Sequence, residues 1–254
     1  MSKASASELR EAIQKQANPK VASGQQRYFK TGPGEYGDGD KFLGLNVPTQ
    51  RKIANEFIDI SLKELQGIVS DEFHEIRSIG MIILTEKIQS TKSQIEKDKI
   101  FNFYIQNKQF CNNWDLVDVS CTKIFDGRIV GNDLLNDLSK SESLWDRRIS
   151  IVSTLSEIRK GNYEPTLRIS SVLLQDSQDL IHKAVGWMLR EVGKRNKKTL
   201  IDFITKYANK MHKTTFRYCT ERLSKAEVNK LKAAQNKEDD QNQSEDEENQ
   251  SEDE

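Results

Sequence analysis

Cysteine, histidine and proline are all scarce in this chain of 254 residues, with three, three and four copies. The cysteines, Cys111, Cys121 and Cys219, show no CxxC spacing, and the histidines, His74, His182 and His212, lie far apart in the sequence. No zinc site or disulfide framework can be assembled from that set. The expectation is therefore no metal and a reducing, intracellular compartment. Four prolines and thirteen glycines are too few for a chain of many short strands joined by tight turns, which favours a mostly helical protein. Long apolar runs are missing too. None approaches the roughly 18 residues of a membrane span, and MSKASASELR lacks the apolar stretch of a signal peptide, so no membrane partner is expected.

Net charge is also absent, but only as a total: 39 Lys plus Arg stand against 39 Asp plus Glu. Asn236 to Glu254 hold ten acidic residues and one base, Lys237, leaving residues 1–235 with 38 bases and 29 acids, a net of +9. The tail has no apolar residue to bury against its ordering entropy, so residues 236–254 are expected to be a disordered acidic tail on a folded domain of residues 1–235. A basic body with such a tail suggests a polyanion partner; a plain solubility tail is the alternative.

Gly32, Gly34 and Gly37 spell GxGxxG within TGPGEYGDGD. No apolar strand precedes them and no helix start follows, so the segment from about 31 to 46 reads as a flexible surface loop rather than a dinucleotide site. Around it, apolar residues at spacings of three and four mark helices. They fall at 5–17, at 19–29, after Pro48, through EFHEIRSIGMIILTEKI, at about 93–107, and in NWDLVDVSCTKIF, SLWDRRISIVSTLSEIRK, PTLRISSVLLQ, DLIHKAVGWMLREVGKR, KTLIDFITKYA and KTTFRYCTERL.

A weak repeat runs through these helices. Arg77, Arg148, Lys183 and Arg217 open comparable apolar runs at gaps of 71, 35 and 34 residues, and a unit near Asn113 fills the doubled first gap. A period near 35 residues indicates an all-α fold, an α-solenoid, with an irregular helical bundle as the alternative. In a solenoid, bases recurring at one register form a positive stripe on the concave face, suited to a nucleic-acid backbone.

Two helices carry candidate chemistry. Lys183, Trp187, Arg190 and Lys194 share one face of the helix 179–195, opposite Ala184, Val185, Met188, Leu189 and Val192. A tryptophan among three cations suits base or sugar stacking flanked by phosphate contacts; a half-buried helix-junction tryptophan explains the same spacing. In NWDLVD, Trp114 and Asp118 face the same way while Leu116 and Val117 point to the core. Asp115 lies about 100 degrees of helix rotation from Trp114, and an aspartate so early in a helix is often a dipole or capping residue.

QRYFK at 26–30, FLGLNVPTQR at 42–51, NWDLVD at 113–118, WDRRISIVST at 145–154 and DLIHKAVGWMLREVGKR at 179–195 together resemble the AlkD-like DNA alkylation repair glycosylases, over about residues 20–225. That resemblance implies a HEAT-like α-solenoid with duplex DNA on a concave basic face. It also implies excision of positively charged N3- and N7-alkylpurines in base excision repair, without extrusion of the lesion, by a monomer that needs no cofactor. Carried over by position, Asp118 matches the catalytic aspartate, and Trp114 and Trp187 match tryptophans that contact the lesion's deoxyribose. Arg148 and Arg190 match residues near the DNA backbone, and Tyr28 matches an N-terminal aromatic; Lys183 and Lys194 extend the DNA-binding set. The expected partner is duplex DNA carrying alkylated purines, and the expected compartment is nuclear in a eukaryote or cytoplasmic in a bacterium. The alternatives are a HEAT-like protein that binds distorted or branched DNA without excision, and a protein-protein scaffold.

Overall fold

The computed structural model describes residues 4–128 and 133–233. The expected acidic tail, 236–254, lies outside the described residues. Among those described, regular structure is helical apart from one isolated bridge, Lys41 with Phe73, and no helix is long and apolar enough to cross a membrane.

The chain divides into two compact units, Met1–Asp126 and Gly127–Glu254. The first holds α1 (Ala6–Gln14), α2 (Pro19–Tyr28), α3 (Val47–Glu56), α4 (Leu62–Val69), α5 (His74–Ser90), α6 (Gln94–Asn107) and α7 (Trp114–Ile124). Their starts are fixed locally. Ser5, Asn18, Asn46, Ser61, Ser93 and Asn113 each accept a hydrogen bond from a first-turn backbone N–H, and Pro19 and Pro48 sit in first turns, where a missing N–H costs nothing. α5 is the spine of this unit: it packs against α3, α4, α6 and α7, and buries Ile76, Ile79, Met81, Ile82, Ile83, Leu84 and Ile88. Gly80 lets α4 approach, since a Cβ there would lie 2.9 Å from Val69 Cγ1 and 3.0 Å from Ile68 Cγ2.

The second unit holds α8 (Asp133–Ser139), α9 (Leu144–Val152), α10 (Leu155–Arg159), α11 (Glu164–Leu173), α12 (Asp179–Gly193), α13 (Lys197–Tyr207) and α14 (Lys213–Cys219). Here α12 is the spine, packed against α9, α10, α11, α13 and α14. Gly186, the glycine of KAVGW, explains how close α14 comes: a Cβ would lie 2.5 Å from Tyr218 Cβ and 2.8 Å from the Thr215 carbonyl oxygen.

The repeat is visible within each unit as helix pairs stacked side by side, the local arrangement of an α-solenoid. α5, α7, α9, α12 and α14 begin at residues 74, 114, 144, 179 and 213, and the unit expected near Asn113 is α7. Three readings need correction. α4 and α8, of eight and seven residues, went unrecognised because two turns give too little periodicity. The single helix expected from 143 to 160 breaks at Ser153–Thr154, where Ser150, Ser153, Thr154 and Ser156 turn their hydroxyls back onto carbonyls three residues earlier, which competes with the helical ladder.

The third correction concerns the basic register. Arg77 does not join a surface stripe: it is 4% exposed, and its Nη1 donates to the Asp71 and Glu72 carbonyls while its Nη2 donates to Asp40 at 2.7 Å. Its true counterpart in α9 is Arg147 rather than Arg148. Arg147 donates to the Ser141 and Glu142 carbonyls and pairs with Asp176 at 2.6 Å. Each arginine fastens the start of its helix, α5 or α9, to the turn before it.

Candidate active site

In the first unit, the loop between α2 and α3 is built into the structure rather than flexible throughout. The buried Glu75 carboxylate accepts the N–H groups of Leu43, Gly44 and Leu45 at 2.9, 2.7 and 3.1 Å, a nest of backbone donors around a charge. Gly44 has φ of +90°, and a Cβ there would lie 2.0 Å from the Asn18 carbonyl oxygen, so only glycine fits. Within the GxGxxG string Gly37 serves chain geometry in the same way, since a Cβ there would lie 2.4 Å from the Phe29 carbonyl oxygen. The glycines of the string precede a segment that plugs Phe42, Leu45 and Asp40 into the core.

That plug makes an aromatic platform. Phe29 stacks on Phe42, with centroids 5.1 Å apart, and on Trp114 at 5.5 Å. Tyr28, 66% exposed, meets Trp114 edge-on at 6.0 Å. Trp114 is half-buried against Ala22, Phe29 and Phe42, so one part of its indole is fixed by packing and the rest remains accessible. Asp118, one turn further along α7, is likewise half-buried. Trp114, Asp118 and Tyr28 are thus borne by neighbouring elements of one unit.

Beneath the platform lies a charged chain that sequence reasoning missed. His74, at the first position of α5, is buried and stacks on Phe42 at 4.5 Å. Its Nδ1 is 2.8 Å from Asp40 Oδ2 and its Nε2 is 2.8 Å from Asp115 Oδ2. Asp40 also accepts from Arg77, and Asp115 Oδ1 accepts its neighbour Leu116 N–H at 2.9 Å. Burial opposes a charge on His74, but the hydrogen bonds and charges of Asp115 and Asp40 outweigh it and push its pKa up to about 9. At neutral pH the ring is an imidazolium donating from both nitrogens. Burial likewise raises the cost of charging Asp40, yet His74 and Arg77 hold its carboxyl below the usual range. Asp115, read from sequence as a capping or dipole residue, does accept a first-turn amide and is in addition the α7 end of this chain. No sequence signal marks the set beyond the rarity of histidine, because its two carboxylates lie 34 and 41 residues from His74.

The second unit carries the remaining candidates. Trp187 is half-buried on α12, and the three cations sharing its face are all engaged with carboxylates: Lys183 with Asp179 at 2.7 Å, Arg190 with Glu221, and Lys194 with Glu191. Arg148, by contrast, is 5% exposed, and its Nη1 donates to the Leu180 carbonyl at 2.7 Å. Among the described residues, no group of three His, Cys, Asp or Glu side chains is arranged to hold a metal ion.

Comparison with known proteins follows the same lines. A solved structure described as a predicted DNA alkylation repair enzyme from Enterococcus faecalis superposes with a TM-score of 0.64 at 18% identity, covering 82% of this chain and 97% of that one. At that identity the likeness speaks for the fold. A search of curated proteins gives no match. The sequence profile of the DNA alkylation repair enzymes matches residues 9–223, nearly the whole of the described helical structure, and the chain therefore belongs to the DNA alkylation repair enzyme family.

Proposed function

We propose that this protein is a DNA N-glycosylase that excises positively charged N3- and N7-alkylpurines from duplex DNA. The observation that carries the proposal is the pairing, on one side of α7, of a half-exposed tryptophan packed on an aromatic platform with a half-buried carboxylate one turn away, in a member of a DNA alkylation repair family.

The chemistry suits these side chains. An alkyl group on N3 or N7 makes the purine a cationic leaving group, so the bond from C1′ to the base nitrogen can break without a general acid. The bonding electrons leave with the base, which departs neutral, and positive charge develops on the sugar. A carboxylate at Asp118 stabilises that charge, then accepts a proton from the water that attacks C1′. The electron-rich face of Trp114 adds a wall against the same charge. The scheme works at the sugar, so it does not depend on extruding the base, which most enzymes acting on bases require.

In this proposal, the second unit meets the DNA backbone on its own: Trp187 is an aromatic surface there, Arg190, Lys183 and Lys194 supply phosphate contacts, and Arg148, buried against the Leu180 carbonyl, braces α12 behind them. Arg190, Lys183 and Lys194 would trade their present carboxylate partners for phosphates. Such an exchange keeps the DNA-free protein from carrying unpaired cations and makes binding salt-dependent. Incubation with duplex DNA containing a single N7-methylguanine should release the free modified base and leave an abasic site. Binding of that duplex without base release would favour the non-excising alternative.

A further inference from the structure

We propose that His74 is a positioning residue for excision: hydrogen-bonded at once to Asp40 and Asp115, it fixes the first turn of α7 and thereby the placement of Trp114 and Asp118. The inference rests on the excision proposal for its kinetic consequence, but its structural part can be tested without it.

Three observations converge. Both ring nitrogens of His74 lie 2.8 Å from carboxylate oxygens on different elements, Asp40 on the α2–α3 loop and Asp115 in the first turn of α7. The ring is also part of the stack beneath Trp114: Phe42 lies 4.5 Å from it and Phe29 4.9 Å, and Phe29 in turn stacks on Trp114. The loop itself is pinned to α5 one residue further on, through Glu75, and His74 N–H donates to the Lys41 carbonyl at 2.8 Å. His74 thus ties three elements together at the point where the Trp114 platform is built. Asp115 neighbours Trp114 directly, so moving its carboxylate rotates the residue that presents the indole and shifts Asp118 one turn on.

The state of the link depends on charge. An imidazolium donates two hydrogen bonds to two carboxylates, whereas a neutral imidazole has one donor and leaves one carboxylate facing a lone pair. The charged groups facing the ring are Asp40 from the loop, Asp115 from α7 and, through Asp40, Arg77 on α5 itself. Glu75 is occupied by the loop amides, and the Cys111 thiol, pushed up to about 12 by burial, is neutral. Deprotonation of His74 therefore leaves a net negative cluster under the platform.

The test uses the full chain. His74→Gln is neutral and reaches one carboxylate at most; Asp115→Asn keeps an acceptor for Nε2 but removes the charge at a quarter-exposed position, where folding tolerates it better. Single-turnover release of N7-methylguanine by saturating protein should fall by roughly 10²-fold in His74→Gln, the scale of a misplacement of about 1 Å, and less in Asp115→Asn. Affinity for undamaged duplex should be unchanged in both. In parallel, Trp145→Phe/Trp187→Phe leaves Trp114 as the reporting tryptophan, and its emission should shift in both variants. It should also shift in the otherwise unaltered protein when pH is raised through about 9, in step with loss of the imidazolium followed by ¹⁵N NMR of labelled histidine. If the unaltered protein releases no base, the excision proposal falls, and the emission titration still decides the role of His74. Trp114 emission indifferent to His74 ionisation, or folded variants that excise at the normal rate, would overturn the inference.

Discussion

Replacing His74 with glutamine should change how stability depends on pH, and the structure gives the size and sign of the change. The folded-state pKa of His74 is raised from 6.5 to about 9, so the folded protein holds the proton more tightly than the unfolded chain. A group raised in this way contributes stability that is complete below the unfolded value and is lost as pH climbs through the folded one. At 1.36 kcal/mol per unit, the whole contribution is about 3 kcal/mol, present at pH 6 and gone by pH 10. Little of it is screened by solvent, since the His74 side chain is only 2% exposed. Urea unfolding of the two proteins at several pH values between 6 and 9.5 measures it. Groups other than His74 titrate alike in both proteins and cancel in the comparison. With a urea slope of about 3 kcal/mol per molar, the unaltered protein's midpoint should fall by about 1 M more than that of the variant across the window. Parallel curves would show that His74 carries no proton of its own at neutral pH, and the two-carboxylate geometry would then not act as an ionic link.

Further outcomes follow from other parts of the molecule. Gly186→Ala places a methyl group against Tyr218 and the Thr215 carbonyl, so α12 and α14 must separate; thermal unfolding should show a loss of about 1–3 kcal/mol, the usual cost of overpacking. Arg190→Ala should reduce the slope of log affinity for duplex DNA against log salt by about 0.9, one phosphate contact. Arg148→Ala should instead lower the melting temperature, because this guanidinium is buried against the Leu180 carbonyl. Truncation after Gln235 removes ten acids and one base, and should raise duplex affinity several-fold at low salt. That advantage should shrink as the Debye length falls to about 10 Å at 0.1 M, and equal affinities at two ionic strengths would assign the tail to solubility or to another partner.

Much of this architecture is legible in the sequence because helices are written in local spacing. The first-turn Pro48 and the recurrence of comparable helices, which begin 30 to 40 residues apart from α5 to α14, can be read from local spacing. Trp114 and Asp118 can be seen to share a face for the same reason. The interior polar chain is not local. Arg77, Asp40, His74 and Asp115 meet only because the α2–α3 loop folds back onto α5, and the fastening of that loop by Glu75 depends on backbone amides that leave no residue pattern. The same limit misassigned the basic register: spacing alone does not distinguish Arg147, which fastens α9 to its preceding turn, from Arg148 beside it. Arg77 looks like a surface cation until its partners are known.

The central claim is that Asp118 performs chemistry on damaged DNA rather than shaping the protein. It is tested most directly by single-turnover release of N7-methylguanine from one defined duplex, comparing the unaltered protein with Asp118→Asn at saturating concentrations of each. The carboxamide keeps the shape and removes the charge, so release should fall by roughly 10² to 10⁴, while affinity for the same duplex holds or improves. Equal release by the two proteins would contradict the account and return Asp118 to a structural role.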